Sequence, residues 1–100
     1  MKLWIDDIRP APDLSYFWVS SVNQAKDYIM YCEDCGRSIE LIDTDHDAGD
    51  YHIFGGDYIK LLDWLEETGR NYPIRIHSMN VVGGMNMEAI CRKNGWTIVE

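Results

Sequence analysis

The sequence predicts an α/β domain built on a parallel sheet with helices packed on both faces, and three observations carry that expectation. Short runs rich in aromatic and β-branched residues alternate with longer segments of helical periodicity. Several of those runs stop abruptly at aspartate or histidine, as buried parallel strands do at a polar sheet edge. Finally, 100 residues, 46% of them hydrophobic, suffice for one core and not for two domains.

Leu3-Trp4-Ile5 reads as the first strand, closed by Asp6 and Asp7. Ile8 to Leu14 holds Pro10, Pro12 and Asp13 and reads as a loop. Tyr16-Phe17-Trp18-Val19 is the second strand, after which Ser20 or Ser21 caps a helix. That helix places Val22, Ala25, Tyr28, Ile29 and Cys32 on one side, with Gly36 as its stop. Ile39 to Thr44 is the third strand and runs into Asp45-His46-Asp47. A polar loop with Gly49, Gly55 and Gly56 leads to a helix bearing Tyr58, Leu61, Leu62 and Leu65, which Gly69 closes. Pro73 introduces the fourth strand, Ile74 to Ser78. After Val81-Val82-Gly83-Gly84 comes a helix carrying Met87, Ile90 and Cys91, ended by Gly95, and Trp96 to Val99 is the fifth strand. The order is β, loop, βαβαβαβ, with no internal repeat.

Nine basic against seventeen acidic residues give a formal charge of −8. That balance argues against a general nucleic-acid groove or an anionic membrane surface, both of which need a basic face. A small phosphorylated ligand or an RNA end stays compatible if a cation or a few local donors offset the acidity. No apolar run approaches the roughly 20 residues of a membrane span. The first residues carry acid where a signal peptide is apolar, so a cytoplasmic setting is expected. Three cysteines cannot close a disulfide framework among themselves. Cys32-x-x-Cys35 lacks the second pair a zinc site needs and lies at a helix end, unlike a thioredoxin-type motif.

In parallel sheets, ligands bind beyond the carboxyl ends of the strands. Three clusters fall there: Asp6-Asp7, Asp45-His46-Asp47 and His77-Ser78-Met79-Asn80. Carboxylates gathered at one edge repel each other, and a divalent cation relieves the repulsion. Magnesium suits a site with a few carboxylates, several waters and a substrate phosphate, so Asp6, Asp7 and Asp45 are the expected ligands. His46 and His77 titrate near neutrality and are candidate proton carriers. Arg9 can clamp a phosphate in bidentate fashion, while Ser78, Asn80 and Asp47 are candidate ligand contacts. The Gly83-Gly84 pair could present backbone N–H groups to an anion. Plainer alternatives stand beside each reading. Aspartates after strands also cap helices and form turns, Arg9 could pair with a surface carboxylate, and His77 could be a satisfied core histidine.

These residues resemble a receiver-type domain of the response-regulator fold. Asp6-Asp7 match its metal-binding pair, Asp45 its phosphoacceptor, and Pro73 to Ser78 its fourth strand, which ends in Thr or Ser. Ser21 to Ile29 lines up with its second helix. The resemblance implies a flavodoxin-like three-layer sandwich, a five-stranded sheet of order 2-1-3-4-5, with the first and last receiver helices missing or reduced. It also marks departures: no room for a helix between Asp7 and Tyr16, and no counterpart of the receiver lysine after the fifth strand. Asp6-Asp7-Ile8-Arg9-Pro10, Asp45-His46-Asp47-Ala48-Gly49 and His77-Ser78-Met79-Asn80, with Gly83 or Gly84 trailing, together resemble the cyclic-phosphate-processing receiver (cREC) subfamily. That resemblance implies action on nucleotide or RNA ends bearing a cyclic phosphate.

Three classes of function follow. The first is a metal-assisted phosphohydrolase or cyclic phosphodiesterase. The second is a phosphoacceptor switch using Asp45. The third is a non-catalytic interaction module on a degenerate receiver scaffold.

Overall fold

The computed structural model describes residues 1–100. Its elements run β1 (Lys2–Ile5), β2 (Tyr16–Val19), α1 (Val22–Asp34), β3 (Leu41–Thr44), a 3-10 helix (Gly49–Phe54), α2 (Ile59–Glu67), β4 (Ile74–Ile76) and α3 (Val81–Asn94). The four strands form one parallel sheet in the order β2-β1-β3-β4. Ser21 caps α1 by accepting the Gln24 N–H at 3.1 Å, and Asn80 caps α3 by accepting the Gly83 N–H at 2.9 Å. Gly95 ends α3 with a left-handed backbone, φ 69°, which a side chain would disfavour. No helix is long and apolar enough to cross a membrane, and all three cysteines are free thiols.

Several boundaries differ from the sequence expectation. β3 begins at Leu41, and β4 ends at Ile76, so His77 and Ser78 lie beyond the strand. The Gly83-Gly84 pair sits inside α3 instead of preceding it. Part of the expected polar loop is wound into the 3-10 helix. The expected fifth strand is reduced to a single parallel bridge between Ile98 and Ile74. Two hydrogen bonds make that bridge: Ile74 N–H to the Thr97 carbonyl at 2.9 Å, and Val99 N–H to the Ile74 carbonyl at 2.8 Å. β4 is only three residues long, so its outer edge offers only the N–H and C=O groups of Ile74 and Ile76, and the bridge uses those of Ile74.

The larger correction concerns layering. Helices were expected on both faces, in a three-layer sandwich; all three lie on one. The register puts Leu3, Phe17, Ile42 and Ile74 in one row, with Ile5, Val19, Thr44 and Ile76 two residues on. Leu3, Ile5, Val19, Ile42 and Ile74 of that face join an 18-residue cluster with the buried residues of α1, α2 and α3. The opposite face carries Trp18, Trp4, Asp43 and Arg75 in one row and Tyr16, Lys2 and Leu41 in the next. Trp4 and Leu41 are buried yet stand outside the cluster.

Crossover handedness explains this. The steps β2 to β3, β3 to β4 and β4 to the Ile98 bridge all move the same way across the sheet. Right-handed crossovers therefore put α1, α2 and α3 on one side. Only the step from β1 back to β2 moves the other way, so its right-handed crossover runs over the opposite face. That connection contains Pro10 and Pro12 and forms no helix. The layer that would cover the second face is missing because this one connection is irregular. A short strap stands in its place, held by the Trp4 indole N–H donating to the Arg9 carbonyl at 2.8 Å.

Candidate functional site

Adjacent parallel strands end side by side, about 4.8 Å apart. β1 and β3 are such neighbours, and their carboxyl ends bring Asp6, Asp7 and Asp45 together. One carboxylate oxygen from each lies within 4.8 Å of the other two. The acids line a cavity of about 290 Å³ whose walls also include Arg9, Asp47 and Asn80, with Ile8 and Met79 as its two hydrophobic residues. Gly49 leaves room for the cluster: it adopts φ 55°, and a Cβ there would run into Asp7 Oδ2.

Asp6 is the anchor, 1% exposed. Its Oδ1 accepts N–H groups from Ile8 and Arg9, both at 2.9 Å, which folds the strap back over the strand end. Its Oδ2 faces His77 Nε2 at 2.9 Å and Arg9 Nε at 3.6 Å. Burial pushes the Asp6 carboxyl up, but the Arg9 and Ile8 amides and the His77 ring outweigh it and hold the group below its usual range. Asp7 moves the other way. Burial raises its carboxyl, and the charges of Asp6 and Asp45 raise it further. Asp45 Oδ1 accepts the His46 N–H at 2.7 Å.

His77 lies beneath the cavity, not on its wall. Its ring stacks on Trp4, with centroids 3.8 Å apart and planes 4° from parallel. Nδ1 meets Asp43 Oδ1 at 2.6 Å while Nε2 meets Asp6. Both ring nitrogens thus have a carboxylate oxygen as partner, which fixes the plane of the ring. The Tyr16 hydroxyl reaches the other Asp43 oxygen at 3.4 Å. Neither Asp43 nor Trp4 was placed in the candidate site from sequence; Trp4 reads there simply as a core or half-buried residue. The available signal was an aspartate at an inward position of the otherwise apolar strand Leu41-Ile42-Asp43-Thr44.

His46 also stands behind the wall. Its Nδ1 meets Asp47 Oδ1 at 2.6 Å, and its ring packs against Gly83, where a Cβ would fall 2.6 Å from the ring carbon Cγ. Gly83 thus serves imidazole packing, and its N–H is already taken by Asn80. The His46 hydrogen bond, with help from the Asn80 amide, holds the Asp47 carboxyl below its usual range. Asn80 Nδ2 donates to Asp47 at 3.2 Å. Ser78 Oγ accepts the Asn80 N–H at 3.1 Å, a turn contact. The fold therefore brings Asp6, Asp7, Arg9, Asp45, Asp47 and Asn80 to one cavity and sets His46, His77 and Ser78 in the surrounding layer. His46, Asp47 and Asp57 form a second group of ligand type, but Asp57 Oδ1 is occupied by the Ala48 N–H at 3.0 Å.

A parallel sheet of order β2-β1-β3-β4 with two acids after β1 and one after β3 defines a receiver-type domain. The family model described as "Cyclic-phosphate processing Receiver domain" matches residues 1–93, and the chain belongs to that family. Comparisons with curated proteins and with solved structures returned no match.

Proposed function

We propose that this domain binds cyclic phosphodiesters at nucleotide or RNA ends and opens them by hydrolysis, with a divalent cation held by Asp6, Asp7 and Asp45. The observation that carries the reading is the unrelieved acid cluster. Burial and two neighbouring charges already push Asp7 up, so a cation with oxygen preference fits the donor set. Bound there, Mg²⁺ would neutralise the carboxylates and polarise a phosphoryl oxygen.

The chain's own groups supply the rest. The Arg9 guanidinium, half exposed at the cavity wall, pairs with phosphate oxygens, and the Asn80 amide sits across from it. His77, anchored on Asp43 through Nδ1, fixes the orientation of Asp6 through Nε2. His46 holds Asp47 through Nδ1 and so orients that carboxylate on the cavity wall, and the attacking water supplies the proton that the leaving oxygen gains. In the net reaction, a water oxygen bonds to phosphorus and one ring P–O bond breaks. The departing oxygen gains a proton, which leaves a phosphate monoester. With a net charge of −8, recognition would centre on the terminal phosphate and not on a polyanionic backbone.

The test is incubation with a nucleoside 2′,3′-cyclic phosphate and MgCl₂, followed by phosphorus NMR. Conversion to a monoester, lost in Asp45→Ala, is the expected result. Turnover no higher than that of Asp45→Ala would overturn the reading. Stable labelling of Asp45 by acetyl phosphate in its place would favour the phosphoacceptor switch.

A further inference from the structure

We infer that Ile8 and Met79 form a pair of apolar jaws that grip a flat heteroaromatic ring, so that the cavity selects a nucleoside phosphate over a bare or sugar-only one. This deepens the phosphate-processing reading and rests on it for the position of the phosphate.

Ile8 is 78% exposed and Met79 85% exposed, and they are the two hydrophobic residues on the wall of an otherwise acidic and polar cavity. Isolated apolar side chains on a surface need no explanation, but these two face one cavity from opposite flanks. Ile8 follows β1 and Met79 follows β4, with β3 and Asp45 between them. Two strand spacings put the flanks roughly 10 Å apart at the backbone. Both side chains line the same cavity as the acids. The cavity volume of about 290 Å³ suits a single nucleotide unit and not a longer stretch of chain. Met supplies a flexible thioether that packs well on aromatic edges, and Ile a broad methyl surface. A neutral ring needs no cationic partner, which agrees with an acidic chain.

Calorimetry with two probes in MgCl₂ tests the inference: adenosine 2′,3′-cyclic phosphate and glycerol 1,2-cyclic phosphate, which lacks a base. The wild type is expected to bind the adenosine compound about tenfold more tightly. Ile8→Ser and Met79→Ser should each remove roughly three- to tenfold of that preference. Each should weaken the glycerol compound less than the adenosine compound. Both side chains are exposed, so thermal melting of the variants should match the wild type. Equal affinity for the two probes, no binding of the adenosine compound, or an equal loss for both probes in either variant overturns the jaws. Hydrolysis separates the two ideas. Glycerol cyclic phosphate opened without any base preference sinks the jaws and keeps the phosphate reading. Base-selective binding without hydrolysis does the reverse.

Discussion

The two faces of the sheet are built from different chemistry. On one, Leu3, Ile5, Ile42 and Ile74 meet three helices in a dry cluster with no charged member. On the other, which carries Trp4, Asp43, Arg75 and Tyr16, no helix packs, and buried Trp4 and Asp43 are joined through the His77 ring. The first face is held by apolar burial, worth about 1.5–3 kcal/mol for each large side chain. The second is held by directional contacts that also orient Asp6. Stability and site geometry are thus assigned to opposite sides of a single layer of strands.

Removing the centre of each face contrasts them most sharply. His77→Ala strips buried Asp43 Oδ1 and Asp6 Oδ2 of their imidazole partner, and breaking such a network costs about 3–5 kcal/mol. Urea unfolding should show that loss, and Asp43→Asn combined with His77→Ala should recover part of it. Leu62→Ala removes a fully buried side chain from the helical face. It should cost about 2–5 kcal/mol in the same assay. The two variants part in Mg²⁺ titrations by thermal shift: His77→Ala weakens the response, whereas Leu62→Ala lowers the melting temperature and keeps the Mg²⁺ increment. Equal loss of the increment in both would erase the division between the faces.

A smaller effect comes from Gly83→Ala, which drives a methyl group into the His46 ring. Turnover should fall at least tenfold, with a stability change of about 1–3 kcal/mol from overpacking. The smallest effects are in pH. Asp7 is raised in the fold, so without divalent cation its contribution is present below the unfolded value near 3.8 and is lost as pH rises through the folded one. Asp6 and Asp47 are lowered, and their contributions are lost as pH falls below that region. In EDTA, Asp7→Asn should therefore melt higher than wild type at pH 7, by at most about 1 kcal/mol. Mg²⁺ should reverse the order. A variant that melts lower than wild type in EDTA would show that Asp7 is not under charge repulsion.

Much of this arrangement was legible in the sequence. The acids after β1 and β3 stood out because each follows an apolar run directly, and a parallel sheet must gather such ends. Four strands, the three helices and the serine cap of α1 were readable from periodicity and capping residues, whereas Asn80 reads there as a ligand contact and not as the cap of α3. One-sidedness was not drawn out, although Pro10 and Pro12 in the only backward connection contained it once handedness is applied. The roles of the histidines were out of reach. Asp6 and His77 are 71 positions apart, and Asp43 and His77 are 34 apart, so their contacts exist only after β1, β3 and β4 pair. The fifth strand failed for a local reason: Trp96 to Val99 has strand composition, but the partner edge is too short to use it.

The strap between β1 and β2 contributes Ile8 and Arg9 to the cavity wall but no residue to the main apolar cluster. Its attachment rests on a few hydrogen bonds, from the Trp4 indole and to the Asp6 carboxylate. Sequence drift in this segment leaves the folding energy of the helical side nearly untouched while it reshapes what the cavity admits. Ligand preference in such a domain can diversify by loop replacement alone, with the clustered acids and the foundation beneath them kept intact.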